Sequence, residues 1–307
     1  MITKNKDISN LSNFNTPAKT KYFYEFMWNI EELIQVLKKF KNEKKLFISW
    51  WTNILFAFDT FDWITIKFSN YNIDENYIFE NYPSVFDKTI SSKFKLKDNI
   101  LEISWFEKIS DTAEILYKEN LSKKWERFIG LPWTIAGAIV WNAWCFWLEI
   151  QHHFLKAQVM DLTDFKIKII NKQQANFSYR NSIFKNKNYI ILKAWFDLSL
   201  NEEKYSFNWT LEDIVEFRTQ KQPQWFTCGS FFKNPSKEHP AWKLIEQAQL
   251  KWYKIWWAYF SEKHANFLMS DWTASWKDLI NLKNLAQTIV ENKFNIKLIP
   301  EVNIVYN

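Results

Sequence analysis

The chain has 307 residues, of which 47% are hydrophobic and 24% charged, and its formal net charge at pH 7 is +6. These values are ordinary for a soluble globular protein of two or three lobes, and the mild positive charge suits anionic small molecules at least as well as nucleic acid. Its two cysteines and four histidines lack the spacing of a disulfide framework or a metal site. The N-terminus contains no apolar segment of a secretory signal, so we expect a cytoplasmic protein.

Glycine and tryptophan occur in unusual numbers. The chain contains 3 glycines and 19 tryptophans, whereas glycine usually makes up about 7% of a protein. The two residue types together make up about 7% of this chain, which is the usual share of glycine alone. We therefore hypothesise that most of the tryptophans are UGA codons that the source organism reads as glycine.

The positions of the tryptophans are typical of glycine. They form doublets at Trp50-Trp51 and Trp256-Trp257, and Trp133 follows a proline. Glycine serves at turns and where the backbone approaches a ligand, whereas a bulky indole is seldom needed there. The alternative is a chain that is truly rich in tryptophan, and UGG codons at these positions would establish it.

The first third of the chain predicts several strands and one helix. Residues 1–20 are polar, and we expect the first dozen to be loose. Asn29 precedes Glu32 by three residues and is a typical N-cap for a helix with one apolar face. A turn is predicted at Asp59–Trp63. Strands are predicted at Lys21–Phe26, Lys45–Ser49, Ile54–Phe58, Ile64–Phe68 and Ile100–Trp105.

The remaining two thirds alternate between helical and strand patterns. Thr210 and Asp213 form a capping box for a helix that ends before Pro223. Further helices are predicted from Asp111 or Thr112 onward, at Ala241–Gln249 and at Lys277–Asn292. Further strands are predicted at 156–170, 188–200, Ser261–Ser270 and Ile296–Val305.

The segment Gly130–Ile150 begins with an uncharged run long enough to resemble a membrane span. Pro132, Thr134 and Asn142 fit a tight phosphate-binding loop better than such a helix. With glycine in place of its tryptophans, the segment reads G-L-P-G-T-I-A-G-A-I-V-G-N-A-G-C-F-G-L-E-I.

A second candidate loop follows a predicted strand. With glycine restored, Leu46–Asn53 reads L-F-I-S-G-G-T-N, and the backbone N–H groups of such a turn can face a pyrophosphate. The dinucleotide fingerprint is absent because no helix follows. Strands that run into Gly-Gly and polar residues are common, so this turn alone does not distinguish phosphate binding from an ordinary connection.

Two polar residues have two interpretations each when taken alone, and a third segment has one. Arg180, in a Y-R-N-S turn, is either a surface charge or a ligand of an anion. The segment Thr227–Pro235 reads T-C-G-S-F-F-K-N-P and is a polar turn. Glu301, in an apolar strand pattern, is either exposed on the opposite face or positioned for a function.

These motifs together resemble one family from about Leu46 to Val302. The series P-G-T-I-A-G-A, N-A-G-x-x-G, Y-R-N-S, C-G-S-F-F-K-N-P and P-E-V is similar, in order, to the UDP-N-acetylenolpyruvoylglucosamine reductases (UDP-N-acetylmuramate dehydrogenases). Lys221-Gln222-Pro223 and the H-A-N-F segment at His264–Phe267 resemble the second, shorter type of this family.

The resemblance implies an α+β protein with a two-lobed FAD-binding domain, of the vanillyl-alcohol-oxidase or PCMH-like kind, before an α+β substrate-binding domain. We expect lobes at 1–70 and 71–205 and the substrate domain at 206–307. The implied reaction belongs to peptidoglycan synthesis. NADPH reduces FAD, whose hydride then reduces the enolpyruvyl group of a UDP-sugar. We expect a monomer that binds this nucleotide sugar and neither nucleic acid nor a membrane.

The resemblance also implies the residues of the site. Arg180 and Glu301 would stabilise the enolate form of the substrate, and Ser230 would deliver a proton. Lys221, Lys233 and Asn234 would bind the UDP phosphates. The implied FAD contacts are Ser49, Trp50, Trp51, Thr52, Asn53, Pro132, Trp133, Thr134, Gly137, Ala138, Asn142 and Ala143.

Three other functions remain open at this stage. An FAD-dependent oxidase of another substrate would share the fold. An inactive scaffold follows if the indoles are real, since indoles at Trp50, Trp51 and Trp133 would keep the pyrophosphate from the backbone. A membrane-surface or nucleic-acid binder is disfavoured because the charge is diffuse and the aromatic residues do not form one helical face.

Overall fold

The computed structural model describes residues 1–27, 29–49, 53–69, 94–186, 188–199, 209–223, 225–271 and 273–307. Helices and strands are mixed along the chain, which confirms the predicted α+β class. No helix in these ranges is both long enough and apolar enough to cross a membrane. The chain divides into two compact units. The first comprises Met1–Glu25, Asn42–Lys67 and Glu216–Asn307, and the second comprises Phe26–Lys41 and Phe68–Val215. The predicted lobe boundaries stay predictions.

The elements are numbered in chain order. The helices are α1 (Ile30–Lys39), α2 (Ile109–Lys118), α3 (Ile135–Val140), α4 (Ile150–His153), α5 (Lys172–Ala175), α6 (Ile183–Asn186), α7 (Leu211–Lys221), α8 (Ala241–Gln247) and α9 (Trp276–Phe294). The strands are β1 (Ile2–Asp7), β2 (Lys19–Phe26), β3 (Lys45–Ile48), β4 (Ile54–Ala57), β5 (Thr60–Phe68), β6 (Phe94–Lys97), β7 (Ile100–Ser104), β8 (Trp144–Cys145), β9 (Leu148–Glu149), β10 (Phe154–Asp161), β11 (Ile167–Asn171), β12 (Tyr189–Asp197), β13 (Lys254–Ile255), β14 (Ala258–Phe260), β15 (Leu268–Ser270) and β16 (Asn303–Tyr306).

The first unit contains a sheet of order β1-β2-β5-β3. Its first strand corrects the expectation that the first dozen residues are loose. β1 pairs antiparallel with β2 over Ile2–Asp7, although most of its side chains are exposed. Backbone pairing at a sheet edge needs no apolar side chains, so a polar composition does not exclude a strand there.

Three further predictions for the first unit are wrong in extent, and one of them is the strand at Ser261–Ser270, which is reduced to β15. The predicted turn at Asp59–Trp63 is mostly strand, because β5 begins at Thr60 and Phe61 is fully buried in the apolar core. The predicted strand at Ile296–Val305 forms a ladder only at β16, which pairs in parallel with β4. Pro300 has no N–H to donate to such a ladder.

The C-terminal part of the first unit follows its sequence pattern closely. Ser275 and Asp278 form a capping box at the start of α9. The helix buries an apolar face against the small sheet β13-β14-β15 and neighbouring segments. The buried residues of this face are Leu279, Leu282, Ala286 and Val290.

The second unit contains an antiparallel sheet of order β11-β10-β12-β7-β6. The predicted N-cap of α1 is confirmed, since the side-chain oxygen of Asn29 accepts a hydrogen bond from the N–H of Glu32 at 2.9 Å. Trp125 lies fully buried between aromatic rings, and its Nε1 donates to Nδ1 of His153 at 3.0 Å.

His264 of the first unit is a neutral histidine. Burial lowers its pKa to about 4, and the positive charge of Lys251 acts in the same direction. Its Nδ1 accepts a hydrogen bond from the N–H of Asn266 at 3.2 Å, and its ring contacts Phe267 with centroids 4.7 Å apart. An uncharged ring is the form that this acceptor role requires.

This environment predicts a loss of stability in mild acid. Because the folded pKa lies below the ordinary value of 6.5, protonation favours the unfolded chain. The contribution of His264 is complete above about pH 6.5 and is lost as the pH falls toward 4, on the order of 2 kcal/mol. Urea unfolding of the wild type and His264→Gln at several pH values measures it. The glutamine keeps an acceptor and does not titrate, so its stability should fall less between pH 7 and pH 4.5. Equal pH dependence in both proteins would contradict the assignment.

Candidate functional site

Both units contain site residues predicted from the sequence, and the first unit contains the turn between β3 and β4. Ser49 is half-buried directly after β3, and Asn53 directly precedes β4. The predicted cofactor residues Trp50, Trp51 and Thr52 lie outside the described residues.

Asn53 connects this turn to the C-terminal strand. Its carbonyl oxygen accepts a hydrogen bond from the N–H of Asn303 at 3.1 Å. Its side-chain Oδ1 is buried, and within the described ranges it receives no hydrogen bond. A buried acceptor without a donor is costly in a folded protein, so this atom is well suited to a polar ligand.

The start of β4 also contacts the predicted catalytic segment. Sγ of Cys228 donates to the carbonyl oxygen of Ile54 at 3.5 Å, and Oγ of Ser12 donates to the same oxygen at 2.8 Å. Burial raises the pKa of the Cys228 thiol to about 12, so Cys228 is a neutral donor at pH 7 and not a thiolate nucleophile. These contacts bring the predicted cofactor turn and the T-C-G-S segment together.

Ser230 and Glu301 lie on two paired segments. Phe232 pairs antiparallel with Pro300, and the N–H of Glu301 donates to the carbonyl oxygen of Phe231 at 2.7 Å. Ser230 therefore lies one residue from the position opposite Glu301. Glu301 is only 5% exposed, which excludes the interpretation of this carboxylate as exposed to solvent, and its function stays a prediction.

Asn266 was not predicted as a site residue, yet it fixes the segment that carries Ser230. Its Nδ2 donates to the carbonyl oxygen of Phe232 at 2.8 Å, and its Oδ1 accepts from the N–H of the same residue at 2.9 Å. Asn266 is 2% exposed. The signal in the sequence is a single asparagine between two apolar residues in H-A-N-F, because a buried amide needs partners.

The predicted phosphate ligands lie in the same unit. Lys233 is half-buried, and its N–H donates to the carbonyl oxygen of Ile299 at 2.8 Å. Asn234 uses its Oδ1 to accept from the N–H of Ala241 at 3.0 Å, at the start of α8. Lys221 is exposed at the end of α7. Their binding to phosphate stays a prediction.

The second unit contains the other predicted cofactor loop, Pro132–Ala143. It is not entirely a loop, because Thr134 caps the six-residue helix α3 through a bond from the N–H of Gly137 to Oγ1, at 3.1 Å. The N–H groups of Ile135 and Ala136 donate to the carbonyl oxygens of Glu107 and Trp105 at 2.8 and 3.0 Å. Three N–H groups of the predicted phosphate turn therefore already have acceptors within the chain.

The end of α3 is a tight turn. Its N–H groups at Trp141 and Ala143 donate to the carbonyl oxygens of Gly137 and Ala138 at 3.1 and 2.8 Å. Asn142 has φ 44° and is fully buried, as is Ala143. Asparagine is the non-glycine residue best suited to this left-handed conformation.

Arg180 also lies in a tight turn of the second unit. Ser178 and Asn181 exchange two backbone hydrogen bonds of 3.0 and 3.1 Å, and Arg180 between them has φ 54°. Its guanidinium carbon lies 5.8 Å from the centre of the Tyr179 ring. Bulky residues rarely adopt a left-handed backbone, and such strain is concentrated at functional sites.

Comparison with known proteins identifies relatives along the chain. A family model described as UDP-N-acetylenolpyruvoylglucosamine reductase, C-terminal domain, matches residues 221–305. The protein of that name from Caldicellulosiruptor saccharolyticus is 31% identical over 309 residues, which cover 98% of this chain and 91% of the relative. The one from Caldanaerobacter subterraneus subsp. tengcongensis is 39% identical over 178 residues, which cover 57% of this chain and 58% of the relative.

A solved structure supports the fold. The crystal structure of UDP-N-acetylenolpyruvylglucosamine reductase from Thermus caldophilus is similar with a TM-score of 0.70, at 17% sequence identity and over 100% of both chains. The assignment to the shorter type of the family stays a prediction. Both the match over nearly the whole relative and the C-terminal family model agree with the motifs in the sequence. The chain belongs to the UDP-N-acetylenolpyruvoylglucosamine reductase family.

Proposed function

We propose that the protein is an FAD-dependent oxidoreductase that uses NADPH to reduce UDP-N-acetylglucosamine enolpyruvate to UDP-N-acetylmuramate, a step of peptidoglycan synthesis. The observation that supports it most is the pairing of the Ser230 and Glu301 segments within a family of reductases. We further propose a cytoplasmic monomer and the lobes 1–70, 71–205 and 206–307, of which the last overlaps the family model at 221–305.

The chain offers suitable groups for the cofactor. The buried Oδ1 of Asn53, which receives no bond from any described residue, would accept from a polar group of FAD. The backbone of residues 50–52 would approach the pyrophosphate. Since the N–H groups of Ile135, Ala136 and Gly137 already donate within the chain, the turn before Asn53 would contribute more to phosphate binding than the Pro132 loop.

The residues of the site would divide the reaction among them. Bound FAD would supply the hydride that reduces the enolpyruvyl double bond. Arg180 would bind the substrate carboxylate with its planar guanidinium, and Glu301 would hold the same group from a buried position. Ser230 would deliver a proton to the carbon that bears the carboxylate. Lys221, Lys233 and Asn234 would bind the phosphates of the nucleotide.

We also propose that the natural protein has glycine at most tryptophan positions. Backbone angles support this at three exposed positions. Trp147, Trp252 and Trp256 have φ values of 66°, 67° and 50° and exposed fractions of 52%, 59% and 76%. This conformation costs an L-residue about 1–2 kcal/mol. An exposed indole buries little apolar surface, so packing does little to offset that cost. Glycine adopts it freely.

The backbone argument does not extend to every tryptophan. Trp125 is fully buried and hydrogen-bonded to His153, and Trp276 donates from Nε1 to Oδ1 of Asp59 at 2.9 Å. At these positions the proposal depends on composition alone. Mass spectrometry of peptides from the natural source tests each position separately, and tryptophan at Trp256 would contradict it.

The first prediction from this proposed function concerns flavin binding. The glycine version of the chain should be purified with a yellow flavin spectrum and should oxidise NADPH only when the enolpyruvyl nucleotide sugar is present. The version with tryptophan should lack the flavin, because indoles at positions 50, 51 and 133 would block the approach of the pyrophosphate to the backbone. NADPH oxidation that does not depend on this substrate would favour an oxidase, and stoichiometric FAD in the version with tryptophan would overturn the steric argument.

The second prediction separates proton delivery from hydride transfer to the flavin. Ser230→Ala should lower kcat for substrate reduction by about 10²–10⁴-fold, the range for loss of one positioned acid or base. Reduction of the flavin by NADPH, followed alone by rapid mixing, should stay at the wild-type rate. Ser230→Cys keeps a proton donor and should retain more activity than the alanine variant. A wild-type kcat in Ser230→Ala would remove Ser230 from the mechanism.

The third prediction concerns backbone strain. In the protein that keeps tryptophan at all its other Trp positions, Trp256→Gly should unfold at a higher temperature than Trp256→Ala. Both variants remove the indole, but only glycine relieves the left-handed conformation, by about 1 kcal/mol. Thermal unfolding of the two variants under identical conditions measures the difference. An alanine variant as stable as the glycine variant would show that this backbone position carries no strain.

A further inference from the structure

The turn that carries Arg180 is connected to the end of α3 by two side chains. Nδ2 of Asn142 donates to the carbonyl oxygen of Ser178 at 3.0 Å. Oγ of Ser182, which is 1% exposed, donates to the carbonyl oxygen of Val140 at 2.8 Å. One bond therefore lies on each side of Arg180, within two residues of it.

Asn142 is itself fixed in a single orientation. Its Nδ2 also donates to Oε2 of Glu149 at 3.0 Å, and its Oδ1 accepts from the N–H of Gln151 at 3.2 Å. The carboxylate of Glu149 is held in turn by the side-chain amide of Gln151. A carboxylate on one side and an N–H on the other leave only one way to orient the amide.

The side chain of Asn142 has no donor left for a cofactor. A side-chain amide has two N–H donors, and those of Asn142 have acceptors in Glu149 and Ser178. The side chain is also fully buried. The backbone N–H of Asn142 also donates, to the carbonyl oxygen of Ile139 at 3.2 Å, so this residue could contact FAD only as an acceptor.

Arg180 needs such support because its own backbone is strained. With φ 54°, it adopts a conformation that costs an L-residue about 1–2 kcal/mol. A strained residue persists only where the surrounding structure over-determines it. The backbone bonds between Ser178 and Asn181 close the turn, and the bonds to Asn142 and Val140 fix it to α3.

We propose that Asn142 is a positioning residue for Arg180: its buried amide holds the Ser178–Ser182 turn so that the guanidinium meets the substrate carboxylate in one geometry. This inference rests on the proposed role of Arg180 in binding that carboxylate. A small misplacement of a catalytic group lowers the rate of the chemical step while the protein remains folded.

The test is a double-mutant cycle in the flavin-loaded protein. Asn142→Gly removes the amide and keeps a residue that accepts φ 44°. It should lower kcat for substrate reduction by about 10- to 100-fold, with FAD content and flavin reduction by NADPH unchanged. In an Arg180→Ala background the same change should alter kcat by less than about twofold, because residues that act as a unit are not additive.

A control and a second variant complete the cycle. Asn120→Gly replaces another left-handed asparagine, φ 53°, which is exposed after α2, and it should leave kcat unchanged. Ser182→Ala removes only the bond to Val140 and should show the same dependence on Arg180 as Asn142→Gly. Equal losses of kcat in both backgrounds, or loss of FAD from Asn142→Gly, would overturn the proposal.

Hydrogen exchange tests the positioning without any enzymatic activity. Amides of residues 178–182 should exchange faster in Asn142→Gly than in the wild type, and they should exchange normally in Asn120→Gly. Unchanged exchange in this turn would overturn the inference. A wild-type protein that fails to reduce the enolpyruvyl substrate would instead contradict the proposed function.

Discussion

The left-handed backbone at tight turns is the constraint on which the candidate segments of each unit depend. The chain adopts this conformation at Gly229 beside the predicted proton donor, at Asn142 after α3 and at Arg180. Glycine adopts it without strain, asparagine at low cost, and bulky residues only when other contacts offset the strain. Hydrogen bonds from neighbouring segments offset it around Arg180. At Trp256 the indole is 76% exposed, so burial of this side chain does little to offset the strain of the backbone.

In each unit, a buried asparagine holds a neighbouring segment in place through side-chain hydrogen bonds. In the first, Asn266 makes two bonds to Phe232 and fixes the segment that begins at Ser230. In the second, Asn142 makes one bond to the turn of Arg180 and two to the segment after α3. A buried amide costs less free energy when its polar atoms have hydrogen-bond partners. Such a residue therefore specifies one arrangement of the segments that it joins. A catalytic side chain needs such a fixed arrangement, because it must meet its substrate in one geometry.

The sequence predicted those parts of the fold that depend on local patterns. The N-cap at Asn29, the capping box of Thr210 and Asp213 and the C-terminal helix follow from residue spacing and are present. The strand at β1 was missed because edge pairing leaves no apolar signal, and Glu301 lies just before a strand because Pro300 cannot donate to the ladder. For the candidate site, the motifs predicted the segments of Ser230 and Arg180, whereas the buried roles of asparagines have no periodic signature.

The sequence by itself determined the family, because its motifs keep their order even where tryptophan stands in place of glycine. The resemblance that those motifs carry also implied the α+β class. Only the tertiary structure decided that Glu301 is buried beside the segment of Ser230. It alone also decided that the side-chain amide of Asn142 donates its hydrogen bonds to Glu149 and Ser178. The physical reason is that these contacts join residues that are far apart in the chain. A single sequence shows neither the distance between two such residues nor the hydrogen-bond partner of a given side chain.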